Sequence, residues 1–418
     1  MNVVLRTRLS AMMFLEYFIW GAWSVTMGTW LGQQLHFSGE QIAWAGGTTA
    51  VGAILSPFFV GLVADRWCAT ERVLAVLHIV GGVLLFVAAQ QQQFSIFYAA
   101  LLLYALCFMP TLALTNSLAF RQMSSTQKQF GAIRVFGTLG WIVAGLIIGN
   151  LHIEATALPM RLAAASSLLM GVYCWTLPHT PPLATTEEIT WRHVVPPEAL
   201  RLFRSRAMAV FAIASFLICV PLQFYYVFTN PFLNEVGVHD AAAKMTGGQM
   251  GELVCLLMIG WFFARLGVKY MLALGMFAWV VRYMLFAYGN SGPLMWMLWG
   301  GILLHGFCYD FFFVTGQIYI DREAPAQLRA ATQGIITLIT YGAGMLVGSW
   351  VSGPVVDANV HRTAGGLVGH DWHNVWMIAA GCAAVVLVFF LTTFSEGEKR
   401  RVPSVPAVAE EYSKSVVP

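Results

Sequence analysis

The chain has 418 residues, of which 58% are hydrophobic and 14% aromatic, while only 10% carry charge. Such a composition excludes an ordinary soluble globular protein. The net charge of +3 is scattered, with no lysine-arginine stripe on any one face, which excludes nucleic acid as a partner.

Apolar stretches of about 20 residues recur between charged or Gly/Pro-rich breaks, and a stretch of that length crosses a ~30 Å hydrocarbon core as a helix. The first runs roughly from 10 to 35. It carries Glu16 and Trp20 and lacks a small-residue cleavage motif, so it reads as a retained helix and not a signal peptide. Five more follow at roughly 39–65, 71–92, 95–122, 131–150 and 158–177, and the run Gln90 to Gln93 reads as a polar cap on the third. A polar segment containing Pro181, Pro182, Pro196 and Pro197 then predicts a linker. Six further spans are expected at roughly 207–234, 243–266, 268–288, 293–321, 327–356 and 373–395. The expected fold is an all-α membrane protein with twelve transmembrane helices. It is divided into a six-helix bundle over 1–177, a cytoplasmic linker over 178–206, a second six-helix bundle over 207–395 and a cytoplasmic tail over 396–418.

Lys and Arg near helix ends are retained on the cytoplasmic side. Arg6, Arg8, Arg66, Arg72, Arg121 and Lys128 fall at alternate breaks, as do the basic residues of the linker and tail, whereas the other side collects only Arg161, Lys244 and Arg362. Both termini are therefore expected in the cytoplasm. The seven cysteines have no C-x-x-C spacing and sit mostly inside apolar spans, so neither a disulfide nor a metal site is expected.

The second span ends in Gly61-Leu62-Val63-Ala64-Asp65-Arg66, with Arg72 opening the third. A small residue there lets helices approach closely, while Asp65 can cap a neighbour and pair with an arginine, forming a conformational latch. The frame recurs without its acid at Gly260 to Arg265. An Arg followed by small residues also occurs twice, at Arg134 with Gly137 and Gly140 and at Arg329 with Gly334. Each pair is separated by nearly half the chain, as parallel repeats would be.

The G-x-x-x-D-R loop, twelve spans and a central cytoplasmic linker resemble the major facilitator superfamily. Within it, the strings Phe14 to Trp23, Met109-Pro110-Thr111-Leu112, Ile133 to Gly140, Leu222-Gln223, Gln249-Met250-Gly251-Glu252 and Tyr309-Asp310-Phe311-Phe312 resemble, in order, the bacterial nucleoside:proton symporter family.

A charged side chain at mid-bilayer costs at least ~2.5 to 3.5 kcal/mol and needs a partner or a water-filled cavity. The deep ones are Glu16, Arg134, Glu252, Arg282 and Asp310. Helical spacing puts Thr138 one turn beyond Arg134, with Trp141 beside it, puts Gln249 on the face of Glu252, and puts His305 on the face of Tyr309. With Gln223 these offer amides, a carboxylate, a donor fork and rings, which suit the hydroxyls, ring nitrogens and flat base of a nucleoside. The resemblance implies the same assignment: Arg134, Thr138, Trp141, Gln223, Gln249, Glu252, His305 and Tyr309 fall on nucleoside contacts, and Asp310 on the family's acid. Tyr226 stands where the family has a small amide, His305 where it has a tyrosine, and Trp141 where it has a phenylalanine. These exchanges bear on substrate identity more than on transport.

Other readings stand beside these. Arg134 can pair with a cytoplasmic loop acid, and His305 can be a hydrogen-bonded core histidine. Glu16 either faces a cavity or pairs with a nearby amide. Arg282 is expected to make a salt bridge to a neighbouring helix. Burial disfavours the charged form of a carboxyl, so Asp310, Glu252 and Glu16 are the candidates for proton coupling.

The expected function is import of nucleosides by proton symport through alternating access, across a bacterial inner membrane, with a proton as the only cofactor and a monomer in the lipid bilayer. A carrier for a sugar or another small polar solute is the alternative. A membrane-embedded enzyme is disfavoured, since no H-E-x-x-H, paired intramembrane aspartates, Ser/His arrangement or nucleotide loop is present.

Overall fold

The computed structural model describes residues 2–59, 68–124, 126–182, 196–362 and 368–395. In lipid every backbone N–H and C=O must find an internal partner, and long helices are what these apolar stretches form. Among the described residues, eight helices are long and apolar enough to cross a membrane. The described residues divide into two compact units, one of 2–37 with 44–182 and the other of 38–43 with 196–395.

The first unit contains α1 (Val3–Ser24), α2 (Met27–Gln33), most of α3 (Gly39–Phe59), α4 (Thr70–Ala88), α5 (Phe94–Arg121), α6 (Thr126–Asn150) and α7 (Leu158–Tyr173). Helix α1 packs on α6 and α7, and α4 packs on α5 and α7. Glycines set the closest of these approaches. A Cβ at Gly140 would collide with the Phe14 carbonyl, and one at Gly137 would lie 2.7 Å from the Tyr17 ring. Small residues at these points bring α1 and α6 backbone to backbone.

The second unit contains the short α8 (Pro197–Leu202), then α9 (Arg206–Glu235), α10 (Ala241–Tyr288), α11 (Met295–Glu323), α12 (Arg329–Ala358) and α13 (Trp372–Thr393). Helix α10 is two spans in one, because Gly267 at φ 67° takes a left-handed conformation that breaks it. The break falls where the sequence places a boundary between two spans. A two-stranded antiparallel hairpin, β1 (Val360–Arg362) with β2 (Val368–His370), joins α12 to α13. Glu235 at the end of α9 ties it down, accepting from the His370 backbone N–H and contacting its ring nitrogen, each at 2.7 Å.

Three features differ from the expected elements. The first span is interrupted after Ser24, where two residues in a turn separate α1 from α2. Helices α11 and α12 widen into π-helical turns at Asp310–Val314 and Leu338–Gly344. The third is a cap supplied from far along the chain: Asp357 accepts from Gly39 N–H at 2.6 Å and Glu40 N–H at 2.8 Å at the start of α3. An acid at a helix N-terminus satisfies orphan donors and complements the helix dipole.

Candidate functional site

Of the latch residues, Gly61, Asp65 and Arg66 lie outside the described residues. Arg72 is exposed in the first turn of α4. The remaining candidates fall into one set in each unit.

In the first unit the set forms along the close α1–α6 contact. The Arg134 guanidinium lies over the Tyr17 ring, 4.0 Å from its centroid, and Trp141 meets Trp20 edge to face at 5.6 Å. Thr138 is half-buried one turn beyond Arg134. This gives a cation, a hydroxyl and an aromatic wall. Tyr17 is a member the sequence reading missed, although it lies inside the string Phe14 to Trp23.

Glu16 is the immediate neighbour of Tyr17 yet lies in the interior of its unit, with 0% of its surface exposed. Its Oε2 is 3.0 Å from Nε2 of His78 on α4, and its Oε1 accepts from Thr111 of α5 at 2.6 Å. Its partners are therefore an imidazole and a hydroxyl, rather than the cavity or the nearby amide that were its two readings. His78 was not singled out, being one ring in an otherwise apolar span.

In the second unit, glycines bring α10 and α11 together. A Cβ at Gly306 would sit 2.7 Å from the Gly251 carbonyl oxygen and 2.8 Å from the Glu252 Cα. That approach places Nε2 of His305 4.0 Å from Oε2 of Glu252, longer than a hydrogen bond. Arg282 is fully buried on α10 and departs from its expected role. No salt bridge to it is seen among the described residues. It lies over Tyr225, 3.4 Å from the ring centroid, and contacts Nδ1 of His305 at 3.2 Å. A guanidinium can only donate, so Nδ1 accepts and the neutral imidazole carries its hydrogen on Nε2, the side of Glu252.

Around this pair the rings of Tyr225, His305 and Tyr309 follow one another at 5.5 and 6.0 Å. Tyr226 touches Tyr225 at 5.6 Å, and the Tyr341 hydroxyl donates to that of Tyr309 at 2.8 Å. Gln223 donates to Ser349 at 2.8 Å, while the Gln249 carbonyl oxygen is buried without a hydrogen-bond partner among the described residues. Asp310 is 1% exposed and its Oδ2 likewise lacks a partner there. Orphaned buried polar atoms are rare enough to call for a cause, and a ligand group or proton at these positions supplies one. Tyr225, Tyr341 and Ser349 were not legible as site residues, since only the folded chain shows which ring or hydroxyl meets a polar neighbour. Among the described residues no cluster of His, Cys, Asp and Glu is placed to hold a metal ion.

A bundle of long apolar helices holding carboxylates, amides and a guanidinium inside its spans defines a membrane transporter. At 13% identity, a bacterial homologue of the human lysosomal transporter Spinster shares the fold with a TM-score of 0.71, and the architecture is the major facilitator fold. The nucleoside H+ symporter family matches residues 1–399, and the chain belongs to that family. It is 40% identical to YegT of Escherichia coli (strain K12) over 402 residues, covering 94% of each chain. It is 32% identical to xanthosine permease of the same organism, covering 93% of this chain and 95% of that one. The crystal structure of the nucleoside transporter NupG superposes with a TM-score of 0.86 at 30% identity, over 95% of this chain and all of that one. The chain is a multi-pass bacterial membrane protein and a transporter, not an enzyme.

Proposed function

We propose that this protein imports nucleosides together with protons by alternating access, across the inner membrane and with both termini in the cytoplasm. Glu252, Gln249, Gln223, His305 and Tyr309 bind the nucleoside in the second unit, with Tyr226 shaping the pocket by its bulk. In the first unit, Arg134, Thr138 and Trp141 are the nucleoside-directed residues. Asp310, next in sequence to Tyr309, carries the coupling proton, and Glu252 is the second acid within its field. One proton moving through 100 mV supplies ~2.3 kcal/mol. At ~1.4 kcal/mol per tenfold ratio, that sustains a nucleoside gradient of roughly fifty-fold.

The observation that carries this reading is the meeting of Glu252 with a histidine whose tautomer is set from behind. A donor N–H and a carboxylate side by side, with rings stacked beside them, match a sugar hydroxyl and a base edge. The buried and unsatisfied Gln249 oxygen adds an acceptor. The test is equilibrium binding of a radiolabelled nucleoside panel and of sugars to purified protein. Wild type should bind nucleosides in preference to sugars, and Glu252→Gln should lose most of that affinity while remaining folded. A variant that binds nucleosides as wild type does would refute the assignment of Glu252. Preferential binding of a sugar by wild type would refute the substrate class.

A further inference from the structure

Arg282 is a full charge in the interior of the second unit, and its Nε and Nη2 have no hydrogen-bond partner among the described residues. A charge buried this way is costly, so its presence calls for a use. The guanidinium lies on the Tyr225 ring, 3.4 Å from the centroid, with Nη1 3.2 Å from Nδ1 of His305. His305 of α11 thus stands between two parts of α10. Arg282, beyond the Gly267 break, meets Nδ1, and Glu252, before it, lies 4.0 Å from Nε2. Tyr225 and Tyr309 each stack within 26° of the imidazole plane, and a Cβ at Gly248 would lie 3.1 Å from the His305 Cβ, so both the ring and its backbone are held.

The hydrogens of this ring follow from the chemistry of Arg282. A guanidinium has five N–H donors and no acceptor, and it is not deprotonated in proteins. Nδ1 must therefore supply a lone pair, and a ring protonated on both nitrogens would set N–H against N–H. The one ring hydrogen is on Nε2. A lysine in the place of Arg282 could give up its proton, and an amide could turn to present its oxygen. Arginine alone keeps His305 in one tautomer.

Nε2 then only donates, and Glu252, as a carboxylate, only accepts. An oxygen about 2.8 Å from each spans the 4.0 Å between them at an angle of about 90°. The Glu252 side chain keeps 30% of its surface accessible, so the gap opens on that side. The group that accepts from one partner and donates to the other is a hydroxyl. Hydrogen in its place leaves both partners unmatched, and fluorine brings no hydrogen to the carboxylate.

We propose that Arg282 is a positioning residue of the nucleoside site: acting through His305, it holds Nε2–H as a permanent donor beside Glu252 and so makes the pair select a substrate hydroxyl. The selectivity rests on the nucleoside reading of this site, whereas the tautomer lock does not.

The lock is read in substrate-free protein by nitrogen NMR with isotope-labelled histidine, His305 being assigned by the signals missing from His305→Phe. Wild type should show a bare Nδ1 and a protonated Nε2, and Arg282→Met should lose that pattern. Selectivity is read by equilibrium binding of a nucleoside and of analogues in which each ribose hydroxyl in turn is replaced by hydrogen or fluorine. Wild type should bind both analogues of one position about tenfold or more weakly than the parent, and Arg282→Met should bind parent and analogues alike. His305→Phe completes a double-mutant cycle, in which adding Arg282→Met should change affinity by less than about twofold. A protonated Nδ1 in wild type would overturn the proposal even if Arg282→Met does not fold. So would a loss on Arg282→Met of equal size with and without His305, which would make Arg282 a packing residue, and so would equal binding of parent and all analogues by wild type. Absence of nucleoside binding to wild type would refute the nucleoside reading instead, and the nitrogen spectrum would still decide the lock.

Discussion

Gly306→Ala adds one methyl group at a close backbone approach of α10 and α11, and its effect can be worked out from the contacts. The new Cβ would lie 2.7 Å from the Gly251 carbonyl oxygen, 2.8 Å from the Cys255 sulfur and 2.8 Å from the Glu252 Cα. Two of the three are backbone atoms and cannot swing aside. To reach ordinary contact near 3.4 Å, the helices must part by roughly 0.7 Å. Overpacking of this kind costs about 1 to 3 kcal/mol. The displacement also falls between Glu252 and its neighbour His305. A loss of about 1.4 kcal/mol in binding is tenfold in affinity, so nucleoside affinity should fall by about tenfold or more, together with the melting temperature. The control is Gly381→Ala on α13, where an added Cβ meets nothing within 4 Å, so affinity should not move and the melting temperature should not fall. Thermal unfolding and equilibrium binding of both variants in detergent decide the matter. A Gly306→Ala protein with wild-type stability and affinity would show that α10 and α11 do not set the spacing of Glu252 and His305.

Asp310→Asn cannot change charge, so it should lose accumulation driven by a pH gradient while still exchanging internal for external nucleoside. Paired uptake and counterflow in the same vesicles test this, and normal accumulation would move the coupling site elsewhere. Arg134→Lys keeps the charge but gives up the planar group that lies over Tyr17. Its uptake should be nearly as poor as that of Arg134→Ala, and full uptake by the lysine variant would show that charge alone matters. Asp357→Ala removes the acceptor for two α3 donors; loss of a cap costs about 0.5 to 2 kcal/mol, and an unchanged melting temperature would count against the cap.

The spans were legible because hydrocarbon thickness imposes a length and an apolar content that any sequence must state openly. Gly267 was legible as a boundary for a related reason: a short polar interruption next to a glycine has few other uses inside so apolar a stretch. The break after Ser24 was not, since Val25 and Thr26 carry no turn signal and the interruption depends on how neighbouring side chains pack. Site residues divide in the same way. Glu252 and Gln249 announce themselves by being costly in a membrane, and so does Arg282. What Arg282 does could not be read, because its partners Tyr225 and His305 are 57 and 23 positions away and only folding brings them beneath it. His78 escaped notice because a single imidazole is cheap enough to pass as packing until its carboxylate neighbour is seen.

A π turn holds one residue more than the α-helical turn it replaces. Asp310–Val314 and Leu338–Gly344 thus act as extra residues accommodated inside helices whose far ends keep their places. In a regular span, deleting a residue rotates everything beyond it by about 100°, turning lipid-facing side chains inward. Within these two segments a one-residue deletion can be absorbed by reverting to the α repeat. They are therefore the positions where α11 and α12 tolerate a change of length, and where an alignment gap inside a membrane span has a structural meaning.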